Sequence, residues 1–132
     1  MKRYRPVAQQ DKWGCGVACV ASVLGISYAG VLARLRVSKN GGKKGTNGKQ
    51  PSSEALRRVL NDAFKDTGLA YELDRPFIGD PDALETGSIV SLSSGHCLMR
   101  AADGWMDPVG GKIRPRLPGE VRQALVLTPN HV

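Results

Sequence analysis

The segment at residues 14–24 constrains the fold more than any other part of the chain, because it predicts a helix that is apolar on nearly every side. Apolar side chains recur at helical spacing along one face, namely at Val17, Val20, Ala21 and Leu24. The opposite face, which includes Cys19 and Val23, is also mostly apolar. A helix of this kind lies at the centre of a protein and must be covered by other elements. Gly25 is placed to end it as a C-terminal cap.

Two further helices are predicted in the first half of the chain. Ser27 is a typical N-terminal cap for a helix at residues 28–36. A third helix is expected to begin at Ser52 or Ser53 and to end at Gly68. Its apolar stripe consists of Leu56, Val59, Leu60, Ala63 and Phe64. This stripe needs one covered face, which a sheet or another helix would supply.

The second half of the chain predicts an antiparallel sheet. Short apolar runs are bounded by Gly, Pro or Ser, which is typical of strands joined by turns. The predicted strands are residues 69–73, 88–92, 96–100, 105–107 and 123–127. Residues 74–86 are expected to be mostly loop. Helices followed by strands indicate an α+β fold. We therefore expect a single domain over residues 1–132, with N-terminal helices packed on a C-terminal antiparallel β-sheet across a cleft.

The chain is strongly basic, with a formal net charge of +7 among 132 residues. This charge favours an acidic partner. The basic residues are spread out except for a denser stretch at residues 39–49, which is also rich in glycine and predicts a loop. Only 5% of the residues are aromatic and no nucleic-acid-binding motif occurs. Both observations argue against a nucleic-acid partner.

Composition and hydropathy predict a soluble, cytoplasmic protein. Hydrophobic residues make up 41% of the chain and charged residues 23%, as in globular proteins. No run of eighteen apolar residues occurs, so no membrane-spanning helix is expected. The basic N-terminus is not followed by the apolar stretch that a secretory signal contains.

The three cysteines, Cys15, Cys19 and Cys97, are an odd number and do not indicate a disulfide framework. Cys15 lies where the buried helix should begin, and there free backbone N–H groups and the helix dipole favour a thiolate. It is therefore the candidate nucleophile. Cys19 and Cys97 are expected to be packing residues. Because the ligands are too few for a closed zinc site, no metal site is predicted, and no cofactor is expected.

The sequence offers one well-placed histidine, His96, because His131 lies at the C-terminal end. A hairpin with a four-residue loop would place His96 directly opposite Asp107, close enough for the carboxylate to orient the imidazole. A two-residue turn at Asp103-Gly104 would instead place Arg100 opposite Asp107. We expect the wider loop. A simple Asp-Pro turn is the other explanation for Asp107.

Taken in order, these residues resemble a known family. Gln9, five further residues, Cys15-Gly16 and then a helix with a second cysteine are similar to the nucleophile segment of the bacteriocin-processing double-glycine leader peptidases, a papain-like group. A turn carrying His96, a hairpin and then Asp107-Pro108 are similar to the second catalytic segment of that family. The ordered set of four residues carries the resemblance, since each motif alone is short.

The resemblance extends over most of the chain, with three differences. Gly45-Thr46 and residues 56–69 resemble the middle block of the family, and residues 124–129 its closing strand. The differences are Gly14, where the family usually has an acidic residue, a shorter interval from the histidine to the aspartate, and Cys97, where a bulky apolar residue usually follows the histidine. These differences bear on substrate specificity more than on the chemistry.

The resemblance implies a papain-like fold and a cysteine peptidase. In that mechanism the Cys15 thiolate attacks a carbonyl, His96 transfers the proton, and Asp107 orients the histidine. Gln9 would stabilise the oxyanion together with the Cys15 backbone N–H, and Gln10 is the alternative donor if the register differs by one residue. The residues expected to contact the substrate are Trp13, Gly14 and Gly95.

The implied substrate is a peptide or protein that is cut after paired glycines. Members of the family are often fused to an ABC transporter. This sequence predicts neither membrane helices nor a Walker motif, so a transporter partner would be a separate protein. Two other interpretations of the same residues remain. One is a papain-fold amidohydrolase or acyltransferase that acts on a protein side chain, as an effector or toxin does, and the other is a peptide-binding pseudoenzyme.

Overall fold

The computed structural model of the protein describes residues 4–37 and 50–129. Within these ranges the chain forms three α-helices followed by six β-strands. The helices are α1 (Cys15–Leu24), α2 (Tyr28–Val37) and α3 (Ser53–Phe64). The strands are β1 (Leu69–Asp74), β2 (Ile89–Leu92), β3 (Cys97–Ala101), β4 (Gly104–Asp107), β5 (Lys112–Arg114) and β6 (Val121–Pro129). The whole loop predicted at residues 39–49, which includes the Gly45-Thr46 motif, and His131 lie outside the described residues.

Helix α1 is the buried central helix that the sequence predicts. Every residue from Cys15 to Val23 is buried, which matches the apolar pattern on all of its sides. The helix contacts α2, α3 and β3, so it is covered by helices on one side and by the sheet on another. Gly25 ends it in the left-handed conformation, with φ of 69°.

The predicted caps of the other two helices are confirmed. The Ser27 hydroxyl accepts a hydrogen bond from the Gly30 backbone N–H at 3.0 Å. For α3 the sequence left two serines open, and Ser52 is the cap, because its hydroxyl accepts from the Ala55 N–H at 3.1 Å. The apolar stripe of α3 packs against β1 and against α1.

The strands form one antiparallel sheet in the order β1-β6-β2-β3-β4-β5. This arrangement confirms the α+β class. Five of the strands coincide with predicted ones to within a few residues. Strand β5 was not predicted, because it is very short and follows two glycines that are typical of a turn. The segment between β1 and β2 is loop with a single 3-10 turn, as expected.

Alternation along β3 divides its side chains between two apolar clusters. Cys97 and Met99 belong to the large cluster on the helix side of the sheet. Leu98 belongs to a second cluster, with Trp105 and Val90, on the other face. Because successive strand residues point to opposite faces, Cys97 is directed towards α1 rather than away from it.

The register of the β3–β4 hairpin differs from both predicted registers. Met99 pairs with Met106 and Ala101 pairs with Gly104, so the loop consists of residues 102–103 alone. The four-residue loop was therefore wrong, and so was the alternative turn centred on Asp103-Gly104. Neither loop residue has a positive φ, whereas the mirror-image turn expected for Asp-Gly requires it. Gly104 lies after the turn with φ of 153°, where a Cβ atom would collide with the Arg114 carbonyl oxygen on β5.

No single helix in the described part of the chain is long and apolar enough to cross a membrane. The bent pair formed by α1 and α2 satisfies the length and composition test together, at an angle of 106°.

Candidate active site

Cys15 is the first residue of α1, at the end of the helix where backbone N–H groups are unpaired. The preceding Gly14 has no side chain to cap these groups. The side chain of Cys15 is nearly buried, with 5% of the residue exposed. A hydrogen bond from Cys97, together with the hydrogen bond and positive charge of His96, lowers the pKa of Cys15 to about 5 although burial opposes this. Cys15 is therefore a thiolate at neutral pH, as the sequence analysis expects.

His96 lies between Cys15 and Asp107 and contacts both. Its Nε2 atom lies 2.7 Å from Asp107 Oδ1, which leaves the other ring nitrogen for Cys15. The hydrogen bond with Cys15 raises the pKa of His96 above its usual value; burial opposes the rise, and the hydrogen bond and charge of Asp107 add to it. The imidazolium form is thus favoured beside the thiolate. The three side chains are thus in contact in the order Cys15, His96 and Asp107, as the sequence predicts.

Asp107 is almost fully buried, with 2% of the residue exposed, and three groups compensate its charge. Besides His96, the Arg114 Nε–H donates to Oδ2 at 2.5 Å and the Val109 N–H donates to Oδ1 at 2.9 Å. Burial alone would raise the pKa of Asp107, but the hydrogen bonds from His96, Val109 and Arg114 outweigh it and hold the pKa below the usual value. The Asp-Pro turn considered as an alternative role is present as well, since the Val109 bond closes that turn.

His96 and Asp107 meet by a geometry that neither predicted register contains. Continuing the pairing of Met99 with Met106 by one residue places Asp107 across from Leu98. His96 lies two residues before Leu98 and just before β3 begins, so its side chain reaches Asp107 from the turn that precedes the strand rather than from a paired position. The predicted contact is therefore correct, although its predicted register was wrong.

Cys97 belongs to the site, which the sequence analysis missed. It is buried among core residues, as expected of a packing residue, and its thiol is also hydrogen-bonded to Cys15. The hydrogen bond with Cys15 and burial raise the pKa of Cys97 well above its ordinary value. Cys97 thus remains a thiol and donates to the thiolate. Cys19 is fully buried, and burial raises its pKa, so its predicted packing role is confirmed.

Gln50 is a second residue that the sequence analysis missed. Its side-chain Nε2 atom lies 3.4 Å from Cys15 Sγ and 3.3 Å from Cys97 Sγ, and it donates to the Gly95 carbonyl at 2.9 Å. A lone glutamine after a glycine-rich stretch carries no spacing signal that could have revealed it. Its position directly before α3 brings its amide close to the sulfur atoms of both cysteines.

Gln9, the predicted oxyanion donor, has a different set of contacts. Its Nε2 atom donates to the carbonyl oxygens of Asp11 at 3.0 Å and Lys12 at 3.3 Å. Its Oε1 atom is buried without a hydrogen-bond partner. The side-chain amide therefore holds the loop that precedes Cys15, and both of its donor contacts go to that loop.

The three predicted substrate contacts differ in their surroundings. Trp13 is exposed at 39%, and the Lys12 ammonium lies 5.1 Å from the centre of its ring. Gly14 is buried, and a Cβ atom there would collide with the Tyr28 hydroxyl, so helix packing already requires glycine at this position. Gly95 adopts a φ of 91° and presents its carbonyl to Gln50. Their contact with a substrate stays a prediction.

No group of three or more His, Cys, Asp or Glu side chains in the described ranges is arranged to hold a metal ion. Comparison with known proteins finds no matching family model and no matching curated protein. The geometry of these side chains, together with the resemblance drawn from the sequence, is thus the basis for a functional assignment.

The hydrogen bond from Cys97 predicts a measurable change in the acidity of Cys15. The rate of Cys15 alkylation by iodoacetamide, followed by peptide mass spectrometry against pH, should be half-maximal near pH 5 in the unmodified protein. Cys97→Ala removes the donor, so the midpoint should move to higher pH. Cys97→Ser keeps a donor and should restore much of the shift. Cys19→Ala is the matched control and should leave the midpoint unchanged; an equal shift in this variant would contradict the prediction.

Proposed function

We propose that this protein is a papain-like cysteine peptidase in which Cys15 is the nucleophile, His96 the general acid and base, and Asp107 the residue that orients His96. One observation carries the proposal, namely the chain of contacts from Cys15 at the start of α1 through His96 to Asp107. A buried thiolate beside an imidazolium held by a carboxylate is the arrangement that acyl transfer by cysteine requires.

The geometry suggests the following order of events. The Cys15 thiolate attacks the carbonyl carbon of the scissile bond, and its sulfur forms the new bond. His96 then donates its proton to the leaving amine as the carbon–nitrogen bond breaks, which leaves a thioester on Cys15. Water attacks the thioester with His96 as the base, and the acid product leaves with the thiolate restored. Asp107 keeps its charge throughout and holds the ring of His96 in place.

The oxyanion formed in the first step needs hydrogen-bond donors close to Cys15. The backbone N–H of Cys15 is one, since it belongs to the unpaired first turn of α1. The resemblance to the leader peptidases nominates Gln9 as the second. Gln50 is an alternative second donor, because its amide lies 3.4 Å from Cys15 Sγ.

The substrate class follows from the resemblance rather than from the site. We propose a peptide substrate that is cleaved after paired glycines, as in the double-glycine leader peptidases, with any transporter partner a separate protein. Gly95, whose carbonyl accepts a hydrogen bond from Gln50, and the exposed Trp13 are the residues we expect to contact an extended peptide bound at Cys15.

The proposed activity is tested with a mixture of synthetic peptides that contain Gly-Gly sequences, analysed by mass spectrometry. Cleavage after the second glycine is expected in the unmodified protein and should be absent in Cys15→Ala. The same protein should react with the epoxide E-64 at Cys15, and His96→Ala should slow that reaction by about 100-fold or more. Release of ammonia from glutamine-containing peptides without chain cleavage would indicate an amidohydrolase instead. Slow, equal labelling of all three cysteines would overturn the proposal.

Two variants decide between the rival oxyanion donors. Removing a true donor lowers kcat by about 100-fold to 1,000-fold and changes KM little, because the contact is made mainly in the transition state. Gln9→Ala and Gln50→Ala should therefore differ, and the donor is the residue whose loss lowers kcat while thermal stability is retained. Gln10→Ala is the control on the neighbouring position. Full activity in all three variants would show that no glutamine serves as a donor.

The shifted pKa values predict a bell-shaped dependence of kcat/KM on pH. Activity requires Cys15 ionised and His96 protonated, so it should rise through about pH 5 and fall at a pH above 6.5, the usual pKa of histidine. Asp107→Asn removes a charge that raises the pKa of His96, so the alkaline limb should move to lower pH. Asp103→Asn, a matched change in the exposed hairpin loop, should leave both limbs in place. An unchanged alkaline limb in Asp107→Asn would contradict the assigned role.

A further inference from the structure

A cavity of about 320 Å³ lies in the cleft between the first turn of α3 and the sheet. This volume is within the range of sites that hold a ligand group. One end of the cavity is formed by Gln50, Gly95 and Cys97. Because the Gln50 amide lies 3.4 Å from Cys15 Sγ, the cavity borders the nucleophile. A side chain close to the scissile bond of a bound peptide could enter it.

The charged residues that line this cavity are all positive. Arg75, directly after β1, and Arg122, on β6, both contribute to the wall, and no Asp or Glu among the described residues does. In the part of the chain that the structure describes, neither arginine takes part in a salt bridge. Arginine does not lose its proton at any pH relevant here, so the cavity carries a permanent positive charge.

The remaining wall of the cavity adds to this preference. Ser52 and Ser53 line it at the beginning of α3, where the helix dipole is positive. Gln123 lies opposite, and its amide donates to the Ser53 hydroxyl. Arginines that lack an internal carboxylate partner, together with polar serines and a helix N-terminus, suit a carboxylate better than an apolar or basic group.

We propose that this cavity is a specificity subsite for an Asp or Glu side chain that lies near the scissile bond of the peptide substrate, and this inference rests on the proposed peptidase function. Arg75 and Arg122 are the residues that bind the carboxylate. The net charge of +7 attracts acidic peptides in general. The subsite would add a preference for an acidic side chain at one position of the peptide.

The test uses epoxysuccinyl peptides that extend to both sides of the reactive ring and are blocked at both ends. Glu or its uncharged isostere Gln is placed at each flanking position in turn, so the side chain supplies the only carboxylate. The rate of Cys15 alkylation is followed by intact mass. At one position the Glu probe should react about 10-fold faster than the Gln probe, a difference worth about 1.4 kcal/mol.

Two double variants that each remove two positive charges test whether Arg75 and Arg122 cause the preference for Glu over Gln. In Arg75→Gln/Arg122→Gln the ratio of the Glu rate to the Gln rate should fall towards one. Arg58→Gln/Arg116→Gln removes two exposed positive charges outside the cavity and should keep the ratio. Arg122→Glu should invert the preference in favour of a Lys probe. Thermal unfolding of each variant shows whether the fold is retained, and a ratio of one in the unmodified protein would overturn the subsite without any variant.

The outcomes separate the subsite from the peptidase proposal. If the probes label Cys15 but the Glu and Gln rates are equal, or if the ratio survives loss of both arginines, the subsite is overturned and the proposed function stands. If no probe labels Cys15 faster than it labels the other two cysteines, the proposed function is overturned and the subsite falls with it.

Discussion

Helix α1 is stable in water only if other elements cover it on all sides, and the rest of the structure meets that requirement. Its buried faces contact helices α2 and α3 and the sheet, so all three neighbours pack against one short helix. The N-terminal end of a helix has unpaired N–H groups, and here that end lies at the edge of the covered region. Cys15 therefore combines a buried position, a positive electrostatic environment and access to the cleft. The demands of packing and of chemistry coincide at this residue.

The carboxylate of Asp107 holds the sheet side of the site together. A buried carboxylate without partners would cost several kcal/mol, and Asp107 offsets that cost with partners from three separate places in the sequence. His96 precedes β3, Arg114 lies on β5, and Val109 lies in the turn after β4. The same bonds that compensate the charge fix the direction of the imidazole. Breaking one of them would therefore loosen both the strand pairing and the orientation of His96.

Structural features that depend on the spacing of neighbouring residues were predicted correctly from the sequence. Features that depend on contacts between distant parts of the chain were not. Helix periodicity and the serine caps are local, so the starts of the three helices were correct, although α3 ends at Phe64 and not at the predicted Gly68. The hairpin register depends on Gly104, whose backbone packs against Arg114 on the strand that the sequence analysis missed. Gln50 reaches Cys15 only through the folded chain, and no pattern of neighbours could reveal it. The contact between His96 and Asp107 was predicted correctly, although His96 makes it from the turn before β3 and not from a paired position in the hairpin.

The two-residue loop of the β3–β4 hairpin lies at the far end of both strands from His96 and Asp107. At about 3.4 Å per residue, the length of β3 separates the loop from the histidine by roughly 17 Å. The paired residues of β3 and β4, which lie between the loop and the histidine, do not include residues 102–103. Residues 102–103 are therefore a natural place to graft a reporter, an affinity sequence or a tether. The protein could be immobilised or labelled through this loop with its cleft left open to solvent.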